Sequence, residues 1–211
     1  AERITANEEE RQRQGFELQT TFRWAMRDGK PDVRVARVAD EAGDILRLSY
    51  AASATITRLN KGLRRRRARG VLGFMIDPAS GVWARNEDED NPNGGPDDIP
   101  KQRIVPTVED HKNALLMQPA ADGLDPEVSA TIHHALLRGI EAVYQIEESE
   151  LLAEPVPSRE QRNGALFYEA AEGGAGVLTR LVAEPDALAR VAVKALEIMH
   201  WEIPKGVAAP K

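Results

Sequence analysis

Between Arg58 and Arg69 seven of twelve residues are cationic: Arg58, Lys61, Arg64, Arg65, Arg66, Arg67 and Arg69. Guanidinium groups hold phosphate oxygens bidentately, and each phosphate they neutralise releases condensed counterions, so such a run suits the backbone of a nucleic acid. It carries no signal for base specificity. The same run also fits a solvated face, or one that pairs with the protein's own acidic surface. Trp24, Phe74 and Trp83 are near it in the sequence. Their rings have the chemistry to stack on single-stranded bases, and they equally fit the apolar face of a strand.

A second stretch with chemical potential is Phe167-Tyr168-Glu169-Ala170-Ala171-Glu172-Gly173-Gly174-Ala175-Gly176, an apolar strand that turns through glycines towards Val177. Gly173, Gly174 and Gly176 let backbone N–H groups converge, which makes the segment either an anion site or a tight strand-to-helix turn. It is neither a GxGxxG nor a Walker A sequence, because Val177 and Leu178 follow where Lys and Ser or Thr would stand. Glu169 and Glu172 would repel a phosphate unless a divalent cation intervened. With one, they and the Gly173–Gly176 turn could serve a phosphodiester hydrolase. Other constellations are thin. His133 and His134 are adjacent and so point in different directions from a helix, His111 and His200 are isolated, and GxSxG and HExxH are absent. The chain has no cysteine, which excludes a disulfide scaffold and thiolate chemistry and fits a reducing cytoplasm.

The elements that must position these groups follow from composition and periodicity. At 42% hydrophobic and 29% charged, the 211 residues can bury a core. No apolar stretch is long enough to span a bilayer, so no membrane partner is expected. Removing the seven charges of the basic run from the formal net charge of −6 leaves the rest of the chain at −13. Residues 87–101 form an acidic loop rich in Pro, Gly and Asn that divides the chain. Residues 1–86 alternate with period two and predict an antiparallel meander, with strands over 16–26, 33–38, 45–50, 54–59, 71–76 and 82–85. Residues 102–211 predict two further strands over 103–108 and 114–117. A helix follows, with Asp125 as N-cap, Pro126 in its first turn and an apolar face at Val128, Ile132, Ala135, Leu136, Ile140 and Val143. An apolar strand over 165–170 and a last amphipathic helix opened by Pro185 complete this part. The class is α+β: an antiparallel sheet-rich half, then a mixed half of helices and strands.

Several segments taken in order resemble one family. They are Glu8 to Phe16 with Leu18 to Phe22; Ile56 to Asn60 with the arginines that follow; Gly73-Phe74; Glu147 to Leu152 with Pro155 to Arg159; and above all Phe167 to Leu178. This order resembles the C-terminal module of superfamily II DNA helicases of the MrfA type and of the helicase of the DISARM phage-defence system. The resemblance implies a non-catalytic accessory domain of an ATP-driven DNA translocase active in repair or phage defence, with DNA and the motor lobes as partners. ATP, magnesium and zinc would then belong to the full-length protein. Family members continue into a zinc-holding cysteine cluster near the positions of Met199 and His200, and without a cysteine no zinc role passes to a residue of this chain. A protein-interaction module that docks a motor or a partner subunit is the alternative role.

Overall fold

The computed structural model describes residues 15–66, 68–83, 101–120, 124–158, 162–171 and 174–201. Strands come first: β1 (Phe16–Trp24), β2 (Met26–Arg27), β3 (Lys30–Pro31), β4 (Arg34–Asp40), β5 (Gly43–Leu63), β6 (Phe74–Ile76), β7 (Gln102–Ile104) and β8 (Thr107–Pro119). Then follow α1 (Pro126–Tyr144), β9 (Leu151–Pro157), β10 (Arg162–Glu169), α2 (Val177–Ala183) and α3 (Ala187–Ile198). The α+β class is as the periodicity predicts.

The strand connectivity differs from a meander. The main sheet runs β1-β5-β8-β10-β9, with β4 also paired to β5, so strands far apart in sequence lie side by side. The two strands expected over 45–50 and 54–59 are one, β5. Of residues 71–76 only Phe74–Ile76 is a strand, and it pairs with β7 through Phe74↔Ile104 and Ile76↔Gln102. The strand expected over 103–108 is split at Val105-Pro106, where proline has no N–H to give a ladder. Contacts divide the chain into two compact units, one of residues 1–21 and 57–109 and one of 22–56 and 110–211. The sequence division falls at the acidic loop instead, and residues 84–100 lie outside the described residues.

The larger unit is built around β10. Its Ala165 and Phe167 join Leu115 and Met117 of β8 in a cluster with Leu136, Ile140, Leu178, Leu188 and Val191 of the helices. The alternate residues Leu166 and Tyr168 join Ala114 and Leu116 in a second cluster with Ala54 and Ile56. Strict alternation therefore gives the sheet two apolar faces, and helices cover the first. In β5 the alternation slips: Leu48 and Tyr50 belong to the first cluster, yet Ala54 and Ile56, also even-numbered, belong to the second. The slip falls at Ala51-Ala52-Ser53, which is why the pattern there suggests two strands. β9 closes one edge of the sheet, where Pro155 and Pro157 withhold no ladder bond from an outer neighbour. The buried Tyr168 hydroxyl donates to Glu154 Oε1 at 2.9 Å, so neither polar group is left unmatched between the strands.

Helix α1 starts as predicted. Asp125 Oδ1 accepts from the Glu127 and Val128 N–H groups at 2.8 and 3.3 Å, and Pro126 occupies the first turn. Its buried face is Ser129, His133, Leu136, Gly139, Ile140 and Glu141, so Val128 and Ile132 are exposed, contrary to the predicted stripe. The cause is Gly139. A Cβ there would lie 2.5 Å from the Val191 carbonyl oxygen and 3.2 Å from Ala195 Cβ, so the helices meet along the glycine and the face turns with it. Helix α3 begins at Ala187, two residues later than Pro185 suggests, and buries Ala187, Leu188, Val191 and Ala195.

Candidate nucleic-acid interface

The basic run occupies the smaller unit. Arg58 and Lys61 are half-buried on β5, and Lys61 Nζ lies 3.7 Å from Glu17 Oε1. The strand ends beyond Gly62, where φ is +107° and an added Cβ would lie 2.9 Å from the Gly73 carbonyl oxygen, so the position favours glycine. A turn after Leu63 carries the remaining arginines. Arg64, Arg65 and Arg69 are exposed. Arg67 lies outside the described residues.

Arg66 behaves differently from its neighbours. Its side chain is only 5% exposed, and it clamps its own turn. Nε and Nη2 both donate to the Arg69 carbonyl oxygen at 3.1 and 2.8 Å, while Nη1 donates to the Leu63 carbonyl oxygen at 3.0 Å and to Glu17 Oε2 at 2.6 Å. The rigid five-donor fork of a guanidinium is what allows one side chain to hold both ends of a turn. Arg66 is thus withdrawn from the exposed set and braces the turn that carries it. Arg64 adds a second tie, its Nε donating to the Phe16 carbonyl oxygen at 3.1 Å and its N–H to the Gly15 carbonyl oxygen at 2.7 Å.

The aromatic residues separate into two groups. Trp24 packs edge-to-face on Phe22, ring centres 4.9 Å apart, beside the second apolar cluster, and is a core residue. Phe74 is half-buried between Phe16 at 5.8 Å and Trp83 at 5.0 Å, both edge-to-face. Trp83 is 51% exposed, so the core role that its strand pattern suggests does not hold. The Asp77-to-Gly81 turn brings it there. Asp77 Oδ1 accepts from the Ala79 N–H at 2.8 Å, its Oδ2 from the Ser80 hydroxyl at 2.7 Å, and its own N–H donates to the Val82 carbonyl oxygen at 3.0 Å. These hydrogen bonds, the Ser80 hydroxyl foremost, hold the Asp77 carboxyl below the usual aspartate range.

The glycine turn of the larger unit is already filled. Glu169 is 2% exposed, and its carboxylate accepts from Asn113 Nδ2 at 2.9 Å, from the Gly176 N–H at 3.3 Å and from the Leu178 N–H at 3.1 Å. The place an external anion would take at the start of α2 is occupied by the chain's own carboxylate. A Cβ at Gly174, where φ is +57°, would fall 1.5 Å from Glu169 Oε2, so the glycine is there to admit that carboxylate. Lys112 completes the turn, its Nζ donating to the Ala170 carbonyl oxygen at 2.6 Å. The hydrolase reading needs a reachable Glu169 and finds it sealed; its other members, Glu172 and Gly173, lie outside the described residues.

Several other charges of this unit pair with one another. Glu184 takes Arg180 Nε at 2.5 Å and Arg190 Nη2 at 2.6 Å, which holds its carboxyl below the usual glutamate range, the Arg180 bond contributing most. The Arg180 guanidinium also lies 4.6 Å from the Tyr144 ring centre. Burial raises the Tyr144 hydroxyl above the usual tyrosine value. Arg138 bridges Glu141 and Glu148 and lowers Glu148. His133 and His134, expected to point apart, stack in parallel with ring centres 4.9 Å apart, and His133 meets Phe167 edge-on.

Glu17, Asn113 and Lys112 are the positioning residues that sequence reasoning missed. Each acts on a partner about 50 or more positions away, so no local spacing announces it.

Comparison with known proteins gives three findings. Residues 132–200 match the family described as MZB, the MrfA Zn-binding domain. The curated proteins give no match. Among solved structures, a crystal structure of the DUF1998 helicase MrfA bound to DNA aligns with 82% of this chain at 10% identity and a TM-score of 0.44, and the chain spans 20% of that protein's length. The residues present do not fit a zinc site: the chain has no cysteine, and among the described residues no three His, Asp or Glu side chains gather closely enough to hold a metal. No helix among the described residues is long and apolar enough to cross a membrane. Over residues 132–200 the chain is therefore similar to the MrfA Zn-binding domain, and the resemblance read from the sequence is borne out in that stretch.

Proposed function

We propose that this chain is a non-catalytic accessory region of an ATP-dependent DNA helicase, acting in DNA repair or phage defence, and that it grips the nucleic-acid backbone through the turn at residues 64–69. Arg64, Arg65 and Arg69 are the phosphate contacts, Arg58 and Lys61 extend the positive strip, and Arg66 holds the turn in shape. The observation that carries the reading is the clamp itself. A turn in which one buried arginine fixes the backbone while its neighbours stay exposed displays charge at fixed positions, and preordered charge binds a polyanion at a smaller entropic cost than mobile charge. The similarity over residues 132–200 to a domain named for a helicase supports the same reading.

Such contacts add affinity without sequence choice, and each neutralised phosphate steepens the dependence on salt. The test is a titration of labelled duplex and single-stranded DNA at several salt concentrations, with the parent chain and the triple variant Arg64→Ala, Arg65→Ala, Arg69→Ala. The slope of log K against log salt is expected to fall by about three in the variant. Equal affinity and equal slope for the two proteins would remove the reading. Retention of a protein partner from nuclease-treated lysate by both would then favour the docking role.

A further inference from the structure

We propose that Trp83, carried on the Phe74–Phe16 ladder beside the arginine turn, is a stacking site for an unpaired base, and that it makes this chain selective for single-stranded over duplex nucleic acid. The proposal rests on the backbone-gripping reading and adds the substrate class to it. Its first ground is exposure. About half of the largest apolar side chain in the smaller unit faces solvent, next to Val82 at 63% exposure, where a mere packing residue would have been turned inward.

Its second ground is rigidity. Trp83 bridges Ile76 across the Asp77 turn, whose side-chain hydrogen bonds fix the return of the chain. The indole and the Phe74 ring meet at right angles, 5.0 Å apart and 88° between planes, so Phe74 supports the indole. Phe74 is braced in turn by Phe16 at 5.8 Å. The third ground is that cations and ring share one frame. Arg64 Nε holds the Phe16 carbonyl oxygen, and the Gly73 N–H donates to the Lys61 carbonyl oxygen at 2.8 Å, so both strands that carry the ladder are tied to the basic run. Trp83 is thus joined through two ring contacts, of 5.0 and 5.8 Å, to Phe16, whose carbonyl oxygen Arg64 holds, and a strand gripped by the arginine turn is proposed to lay a base on it. In a duplex those bases are already stacked on each other and offer no free face, whereas a single strand does.

The experiment uses the 211-residue chain with an oligo(dT) strand and with a duplex of equal length, read by anisotropy and by quenching of indole fluorescence. Trp83→Ala is expected to weaken oligo(dT) binding about tenfold and duplex binding less than about twofold, while Trp83→Phe keeps most of the single-strand affinity. A Trp83→Ala chain that holds oligo(dT) as tightly as the parent, or that loses both ligands equally, overturns the stacking site. In either case an intact salt slope leaves the backbone-gripping reading standing. A parent chain that binds neither ligand at low salt overturns both.

Discussion

Truncating Arg66 to alanine removes four hydrogen bonds at once and leaves their acceptors behind: the Arg69 carbonyl oxygen, which takes two, the Leu63 carbonyl oxygen and Glu17 Oε2. Hydrogen bonds with a charged partner contribute about 1.5–3 kcal/mol each, and removing one member of a buried pair costs about 3–5 kcal/mol. Glu17 is 39% exposed, so water recovers part of its share. The expected loss is about 3 kcal/mol, against less than about 0.5 kcal/mol for the neighbouring, exposed Arg65→Ala. Urea unfolding followed by fluorescence measures both. Arg66→Lys is expected to recover less than half of the loss, because one ammonium cannot reach both ends of the turn. The clamp also predicts that Arg66→Ala weakens DNA binding although Arg66 itself does not face the ligand. Should Arg66→Ala unfold within about 0.5 kcal/mol of the parent, the turn is not held by this side chain and the display argument fails.

Further perturbations address the glycine turn and the carboxylates with lowered titration. Glu169→Ala strands the Asn113 side chain and the Gly176 and Leu178 N–H groups, for an expected loss of about 3 kcal/mol in urea unfolding, with Glu169→Gln losing less because one acceptor oxygen remains. Gly174→Ala, which sets a methyl against the same carboxylate, is expected to be destabilised to a similar degree; parental stability for both would show that the turn does not depend on Glu169. The carboxyls of Asp77, Glu148 and Glu184 titrate lower in the folded chain than when unfolded. Their contribution to stability is therefore complete above the ordinary carboxylate range near pH 4 and disappears as the pH falls through the lowered values. Urea midpoints measured from pH 7 to pH 3 should decline at the acid end for the parent and less steeply for Glu184→Gln; identical profiles would refute the Arg180–Glu184–Arg190 linkage.

What could be read in advance was whatever depends on neighbours in sequence. The N-cap Asp125 acts over two and three residues, the Asp77 turn closes over five, and strand alternation needs only every second residue, so all three are visible in the chain. The part that stayed hidden depends on distant partners. Nothing near Arg66 says that Glu17 will meet it, and nothing near Gly174 says that the glycine makes room for Glu169 rather than for a ligand. The rotated face of α1 has the same origin, since it is set by where Gly139 meets Val191. Charge density indicated the basic strip, but only the hydrogen bonds show that Arg66 turns inward to clamp the backbone and that the exposed Arg64 also ties it to Phe16.

The change of side within β5 has a consequence for how this strand can vary. Because Leu48 and Tyr50 serve one apolar cluster while Ala54 and Ile56 serve the other, the three residues between them act as a phase marker. Deleting one of them would leave two residues between Tyr50 and Ala54, and plain alternation would then carry Ala54 and Ile56 to the layer they already occupy, so this segment should accept the loss of one residue where the rest of the strand would not.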